Sequence, residues 1–447
     1  MLRKHTEKKG ERKVIIFIIL FLVIGSIFSI NFQTFFSVFS KLAGIPSGQS
    51  GLVSWGLDKS GALGKDDTRV SPPPAYFNVH LPKTIEIRDI TAGVSHSLAL
   101  DKDGVVWVWG SNQYGQLGIN SSIKHKSIPM QVQDLPKIKK IAANQHHSLA
   151  LTEDGKIFAW GLNLSGQLGI GTQNDSNIPV QVLGLSAIKD IAAGYRFSMA
   201  LKDDGTVWAW GALCRQKETQ ELRELLSQFS DNISLVGGYY DPANSDITSL
   251  SETNNCVNED VVNIKSLTPI QITGLNNVEA ISAGFGHMLA LKTDGTVWTW
   301  GCNTYGQVGN GKIGTSNNRI PAQVKNLTDV ISISAGYRHS LALKSDGTVW
   351  AWGHNAFGEL GDGSQNDNPT PSQIQTLKNI RAVSAGFDYS LALDTNNLLW
   401  GWGQTMYGQL GKSEGSNMQV LPAINTRFKN IQKVAAGGGH VLAIPMK

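Results

Sequence analysis

Five histidines hold the same place in a recurring segment of this 447-residue chain: His96, His147, His287, His339 and His440. Five imidazoles gathered round one axis would make a ring of metal ligands, because neutral imidazole binds most divalent transition metals. Their substitutes argue against that chemistry. Phe197 and Tyr389 fill the place in the two remaining copies, and neither replaces histidine in a typical divalent-metal site. The position therefore reads as a flat ring kept for packing or for a local hydrogen bond, and no metal or cofactor is expected. Of three cysteines, Cys214 and Cys256 are about 42 residues apart. An oxidising compartment would let them bridge, which contributes about 4 kcal/mol on chain-entropy grounds. Cys302, directly after a Trp-Gly pair, reads as a small buried hydrophobe. No P-loop, G-x-S-x-G or C-x-x-C context occurs, and no Ser, His and Asp arrangement stands out from the repeat background. The chain is read as non-enzymatic.

The more informative positions precede those histidines. Within A-G-x-x-H the two middle residues change from copy to copy: Val94-Ser95, Gln145-His146, Tyr195-Arg196, Phe285-Gly286, Tyr337-Arg338, Phe387-Asp388 and Gly438-Gly439. If each copy sets this turn on one face of a ring, Tyr195, Phe285, Tyr337 and Phe387 form an arc with Arg196 and Arg338 between them. His146 and Asp388 complete the candidate set. Aromatic and arginine side chains dominate binding hot spots. The competing reading is that the rings pack between neighbours or fill a channel mouth.

What must position these residues is the repeat itself. Trp-Gly pairs begin at Trp55, Trp109, Trp160, Trp210, Trp300, Trp352 and Trp402, roughly 50 residues apart except between Trp210 and Trp300. In the copy from Ala335 to Gly353, two β-rich runs flank Asp346-Gly347, which is expected to form a two-residue type I′ turn. The chain opens on a Trp-Gly strand without its preceding A-G-x-x-H, and closes on Ala436 to Ile444 without its following strand. The two halves complete each other. The expected fold is an all-β, seven-bladed β-propeller over 51–447, closed by pairing of its N- and C-terminal strands so that no edge is left open. An open solenoid would instead need capping repeats.

The motifs A-G-x-x-H-S-L-A-L, D-G-x-V-W-x-W-G and N-x-x-G-Q-L-G, the last at Asn112 to Gly118, Asn163 to Gly169 and, with Val308, Asn303 to Gly309, resemble the repeats of the regulator of chromosome condensation family. The resemblance covers Leu52 to Ile444. It implies the seven-bladed propeller already counted, and three kinds of activity. Chromatin-bound members accelerate nucleotide exchange on a small GTPase through acidic and histidine side chains on such a rim. Here only Asp388 keeps an acid before the motif ring, which disfavours exchange. Secreted bacterial members, such as a β-lactamase inhibitory protein of this fold, grip a protein with aromatic rim residues. A carbohydrate or cell-wall binder is the alternative, since aromatic rims also stack sugars.

Outside the repeats, residues 1–13 hold six Lys or Arg against Glu7 and Glu11, which accounts for the whole formal charge of +4. The remaining chain is neutral, so no nucleic-acid partner is expected. Residues 14–32 are uncharged and long enough to span the hydrocarbon core, which reads as a signal anchor with 1–13 as a cytoplasmic leader and 33–50 as a stalk. The propeller is then outside a cell membrane, in a bacterial, membrane-anchored or secreted member of the family; the alternative is secretion after signal-peptide cleavage. An insertion at about 212–265 carries a short amphipathic helix from Glu218 to Phe229. The expected function is a membrane-tethered, extracytoplasmic propeller that binds an unknown protein, or a glycan, through one rim.

Overall fold

The computed structural model describes residues 51–58, 60–65, 76–214, 263–314, 318, 320–411 and 417–446. Their 28 strands form seven antiparallel sheets of four. Six sheets take four strands in chain order. The seventh joins the chain ends: β1 (Val53–Gly56) lies between β2 (Tyr76–Asn78) and β28 (His440–Pro445), with β27 (Ile431–Ala436) on the inner side of β28. Val53 faces Ala443 and Gly56 faces His440, so the expected closure by complementary halves is the one formed.

In each blade the innermost strand, such as β19 (Val330–Ala335), lines a central cavity of about 260 Å³. The next two strands, β20 (His339–Lys344) and β21 (Val349–Gly353), alternate inward and outward residues that pack against the neighbouring blade. The core is accordingly divided into inter-blade clusters. Leu341, Leu343, Val349 and Ala351 of one blade, for example, pack with Ala392 and Trp402 of the next. The seven Trp-Gly tryptophans are at most 2% exposed. Among the described residues six of their indole N–H groups donate across the blade boundary, for example Trp352 to the Gln307 carbonyl and Trp402 to the Glu359 carbonyl.

The hairpin at Asp346-Gly347 corrects the expected type I′ turn. Gly347 N–H donates to the Lys344 carbonyl, and only Gly347 has a positive φ, +79°. The loop is therefore three residues, Ser345 to Gly347, a type I turn closed by a left-handed glycine. Asp346 selects it by accepting from the Thr348 N–H and hydroxyl. At Asn396-Asn397 it is Asn397, at φ 62°, that replaces the glycine.

A second left-handed position precedes the inner strands, where Asn277, Asp329, Asn379 and Asn430 have φ of 53° to 58°. Ala187 sits there too, at 54°, exposed and without the polar side chain that eases this conformation. Ala187→Asn is expected to stabilise the propeller by about 0.5–1 kcal/mol, read as a higher denaturant midpoint at unchanged slope.

No helix among the described residues is long and apolar enough to cross a membrane. The anchor read at 14–32 and the helix read at Glu218 to Phe229 both lie outside the described residues. The cysteine reading changes. Cys302 is disulfide-bonded, not a free buried thiol. The bridge read between Cys214 and Cys256 rests on side chains outside those described.

Candidate functional site

The motif histidines are blade-to-blade ties. His96 Nε2 lies 3.0 Å from Ser148 Oγ of the next blade, and the same pair recurs as His147 with Ser198, His287 with Ser340, His339 with Ser390 and His440 with Ser97, at 2.9–3.0 Å. Each serine gives its one proton to a backbone carbonyl: Ser97 to Ala62, Ser148 to Gln116, Ser198 to Gln167, Ser340 to Gln307 and Ser390 to Glu359. The imidazole must then donate from Nε2, which fixes the neutral tautomer with the proton on that nitrogen. The two exceptions follow the same logic. Phe197 has no N–H to give, and Met288 of the next blade packs with it in one cluster. Tyr389 packs with Val441 and sends its hydroxyl to the His440 carbonyl at 2.9 Å. Burial holds all five imidazoles below their ordinary pKa, to about 3 for His147 and His339 and about 4 for His287 and His440.

The variable pairs do gather at one face, but the aromatic arc is an internal cluster. Ring centroids lie 3.9 Å apart for Tyr195 and Phe285, 4.4 Å for Phe285 and Tyr337, and 4.5 Å for Tyr337 and Phe387. Tyr195, Tyr337 and Phe387 are each only 8% exposed. Phe285, Tyr337 and Phe387 line the cavity, so the rings fill the channel mouth and offer a partner little surface. That favours the competing reading stated for them. The reason is geometric: the turn places its first residue toward the axis and its second away from it. Arg196, Arg338 and Asp388, the second residues, are half-buried. His146, another second residue, is buried against Tyr114, and burial followed by the nearby Arg196 charge lowers its pKa to about 3.

A half-exposed aromatic set lies outside the arc, in the turn of N-x-x-G-Q-L-G: Tyr114, Tyr305, Phe357 and Tyr407. The sequence reading did not single them out; four aromatics at one motif position were the available signal. Tyr305 anchors the busiest part of the rim. The Arg338 guanidinium lies 4.8 Å from its ring and 4.6 Å from that of Tyr337, and Arg338 donates to the Tyr305 hydroxyl at 3.1 Å. The Tyr305 ring also meets the edge of His354 at 4.6 Å.

His354 was not singled out from the sequence, nor was Glu359, which stands where Gln116, Gln167, Gln307 and Gln409 stand in other copies. Glu359 is fully buried. It accepts from His354 Nδ1 through one oxygen and from the Phe357 N–H at 2.9 Å through the other. Burial pushes Asp388 up to about 7, and the Glu359 charge adds to it against the opposing pull of His354 and Arg338. Burial alone would lower His354, but the hydrogen bond and charge of Glu359, with Asp388 and Asp367 beyond, raise it. The whole rim is held by one recurring strut: the N–H after each Trp-Gly donates to the carbonyl of the second variable residue, as in Ser111 to Ser95 at 2.8 Å and His354 to Arg338 at 3.0 Å.

A ring-closed, seven-bladed propeller with one rim of unit-specific polar and aromatic side chains defines a class of scaffold proteins. The family model for the regulator of chromosome condensation (RCC1) repeat matches residues 103–151, 154–201, 294–343, 346–393 and 396–444, and a second model for the same repeat matches five segments from 87 to 409. This chain belongs to that family. It is 30% identical over 334 residues to the ultraviolet-B receptor UVR8 of Arabidopsis thaliana, an alignment covering 71% of this chain and 64% of that protein. It is 26% identical over 327 residues to the human regulator of chromosome condensation, covering 72% and 71%. Among solved structures, Prp20p of Saccharomyces cerevisiae, studied for its binding to Gsp1p and histones, superposes with a TM-score of 0.71 at 23% identity, covering 90% of this chain and 93% of that one. Human WBSCR16 superposes at 0.67 and 20% identity, covering 89% and 98%. At these identities the superpositions speak for the fold.

Proposed function

We propose that this chain is a non-enzymatic protein-binding propeller, tethered to a cell membrane through 14–32 and presenting its variable rim outside. The observation that carries the binding role is the division of labour within each repeat. Trp, His, Ser and Gly residues are absorbed in blade construction, whereas Arg196, Tyr305, Arg338, Phe357 and Asp388 stand half-exposed on a rigid frame. Rigid aromatic and arginine groups at a pre-ordered surface lose little freedom on association. Relatives of this fold with protein partners, such as Prp20p with Gsp1p and histones, support a protein ligand. A glycan reading has less to stand on, because the inner rings pack on one another and leave Tyr195, Tyr337 and Phe387 almost no face for a sugar to stack on. The tether rests on the uncharged run at 14–32 and the basic residues before it.

The test is quantitative binding to a partner identified by proximity labelling from the full-length protein on intact cells. Tyr305→Ala and Arg338→Ala are each expected to weaken binding at least about 30-fold, the cost of about 2 kcal/mol at a hot spot. Substitution of exposed Ile178 on an outer strand is expected to leave it unchanged. Equal binding by all three variants sinks the rim assignment. Protection of the propeller from protease on intact cells, alongside cytoplasmic markers, sinks the topology.

A further inference from the structure

We propose that His354, Glu359 and Asp388 form a binding site for one divalent first-row transition ion, for which Zn²⁺ is the natural probe. Three departures from the repeat meet at this corner. Glu359 replaces the glutamine of four other units, His354 stands where other units have Leu57, Ser111, Leu162, Ala212, Cys302 and Gln404, and Asp388 is the one acid among the second variable residues. An uncharged solution to the same corner exists in this chain. Gln116 Nε2 donates to Ser111 Oγ at 3.2 Å and Gln409 Nε2 to Gln404 Oε1 at 3.1 Å. A fully buried carboxylate facing an imidazole, with a second carboxylate beside them, is therefore a departure from packing the blade already knows how to do.

The donor set is one nitrogen and two oxygens. One ligand atom from each residue lies within 4.8 Å of the others. Metal bonds of about 2.0–2.2 Å in tetrahedral geometry put ligand atoms roughly 3.4 Å apart, so closure draws the outermost ligand in by somewhat over an ångström and parts the hydrogen-bonded His354 Nδ1 and Glu359 Oε1. Asp388 can move in by side-chain rotation, since its carboxylate accepts no hydrogen bond among the described residues. Glu359 and His354 are already aimed: the Phe357 N–H holds the far Glu359 oxygen, and the Tyr305 ring packs on the imidazole. Such outer contacts orient ligands in metal sites generally. Without metal, a proton sits between His354 Nδ1 and Glu359 Oε1. The ion takes its place, bonds to both atoms and to an Asp388 oxygen, and the proton leaves to solvent. Arg338 opposes a cation here, but two carboxylates outweigh it and its guanidinium is drawn over Tyr305 and Tyr337. Three protein ligands are too few for Ca²⁺ and too hard for Cu(I).

The inference does not depend on the rim having a protein partner. The test is isothermal titration of the tag-free, chelator-stripped full chain with ZnCl₂, and Co²⁺ absorption spectra as a coordination readout. The expected result is one equivalent bound, with Co²⁺ d–d bands of a nitrogen and oxygen site. The double substitution His354→Ser with Glu359→Gln copies the Ser111 and Gln116 pair, so it is expected to keep the unfolding transition and to lose affinity about 100-fold or more. Asp388→Asn is expected to lose about 10-fold or more. No stoichiometric uptake by the unsubstituted chain overturns the proposal. So does undiminished binding by the double variant, which would put the ion elsewhere, on exposed His80 or His125 for instance. If the double variant does not fold, Asp388→Asn decides.

Discussion

Acidification from pH 7.5 to pH 5 is expected to unfold the propeller, well above the range in which ordinary carboxylates titrate. Six buried histidines are held neutral: His96, His146, His147, His287, His339 and His440. In the unfolded chain each titrates near 6.5. Their folded values are depressed, so between the two the unfolded state binds more protons, and stability present above pH 6.5 is lost as pH falls. At pH 5 each imidazole costs about 2 kcal/mol, and six cost on the order of 10 kcal/mol. That is comparable to the whole stability of a typical domain. Asp388 and His354, both raised, run the other way, two groups against six. Circular dichroism against pH, with urea midpoints at pH 7.5, 6.5 and 5.5, reads the effect. A midpoint flat to pH 5 would show that the histidines are not held neutral.

The mechanism has a sharper check, because the chain has already replaced two of its ties. His339→Phe with Ser390→Met copies Phe197 and Met288. The pair should be tolerated better than either single change, since each single change strands a polar partner in the core. It should also lessen the pH dependence by about one histidine's share.

How much of this was legible in the residues differs by level. Seven Trp-Gly strands and complementary ends were enough for the fold, because an unpaired sheet edge at each terminus has one economical resolution. The histidine ring was recognisable as structural from its Phe and Tyr substitutes. Its serine partners sat one residue away in the motif, but the link crosses a blade boundary that no local pattern reveals. The aromatic arc was assembled from the right residues, but whether its rings faced a partner or filled the channel mouth stayed open. A two-residue turn says which side chains alternate; it does not say which of the two leans toward an axis formed by all seven units. Glu359 was hidden for the opposite reason. A single Glu among glutamines looks conservative until burial is known, and burial makes a carboxylate there costly unless it is paired.

The second large effect concerns glycine, and it separates two penalties usually confounded. Gly353→Ala is expected to cost at least 3 kcal/mol or to prevent folding, whereas Gly184→Ala should cost only about 1 kcal/mol. Both glycines have positive φ, +108° and +69°. A Cβ on Gly184 meets nothing within 4 Å, leaving conformational strain alone. A Cβ on Gly353 would lie 2.6 Å from the Arg338 carbonyl oxygen, 2.9 Å from His339 Cα and 3.1 Å from Gln307 Cα. These are backbone atoms, so no rotamer change relieves the contact. The Arg338 carbonyl is the acceptor of the rim strut from His354, and the Gln307 carbonyl accepts from both Ser340 and Trp352. Displacing either loosens the rim and the blade boundary together. Equilibrium unfolding of the two variants side by side measures the difference. Equal losses would mean that the close approach behind every Trp-Gly pair is softer than its geometry implies. A loss confined to Gly353 would place the rigidity of the rim in the backbone crossing beneath it, which is what lets the second variable residue change from blade to blade without altering the frame.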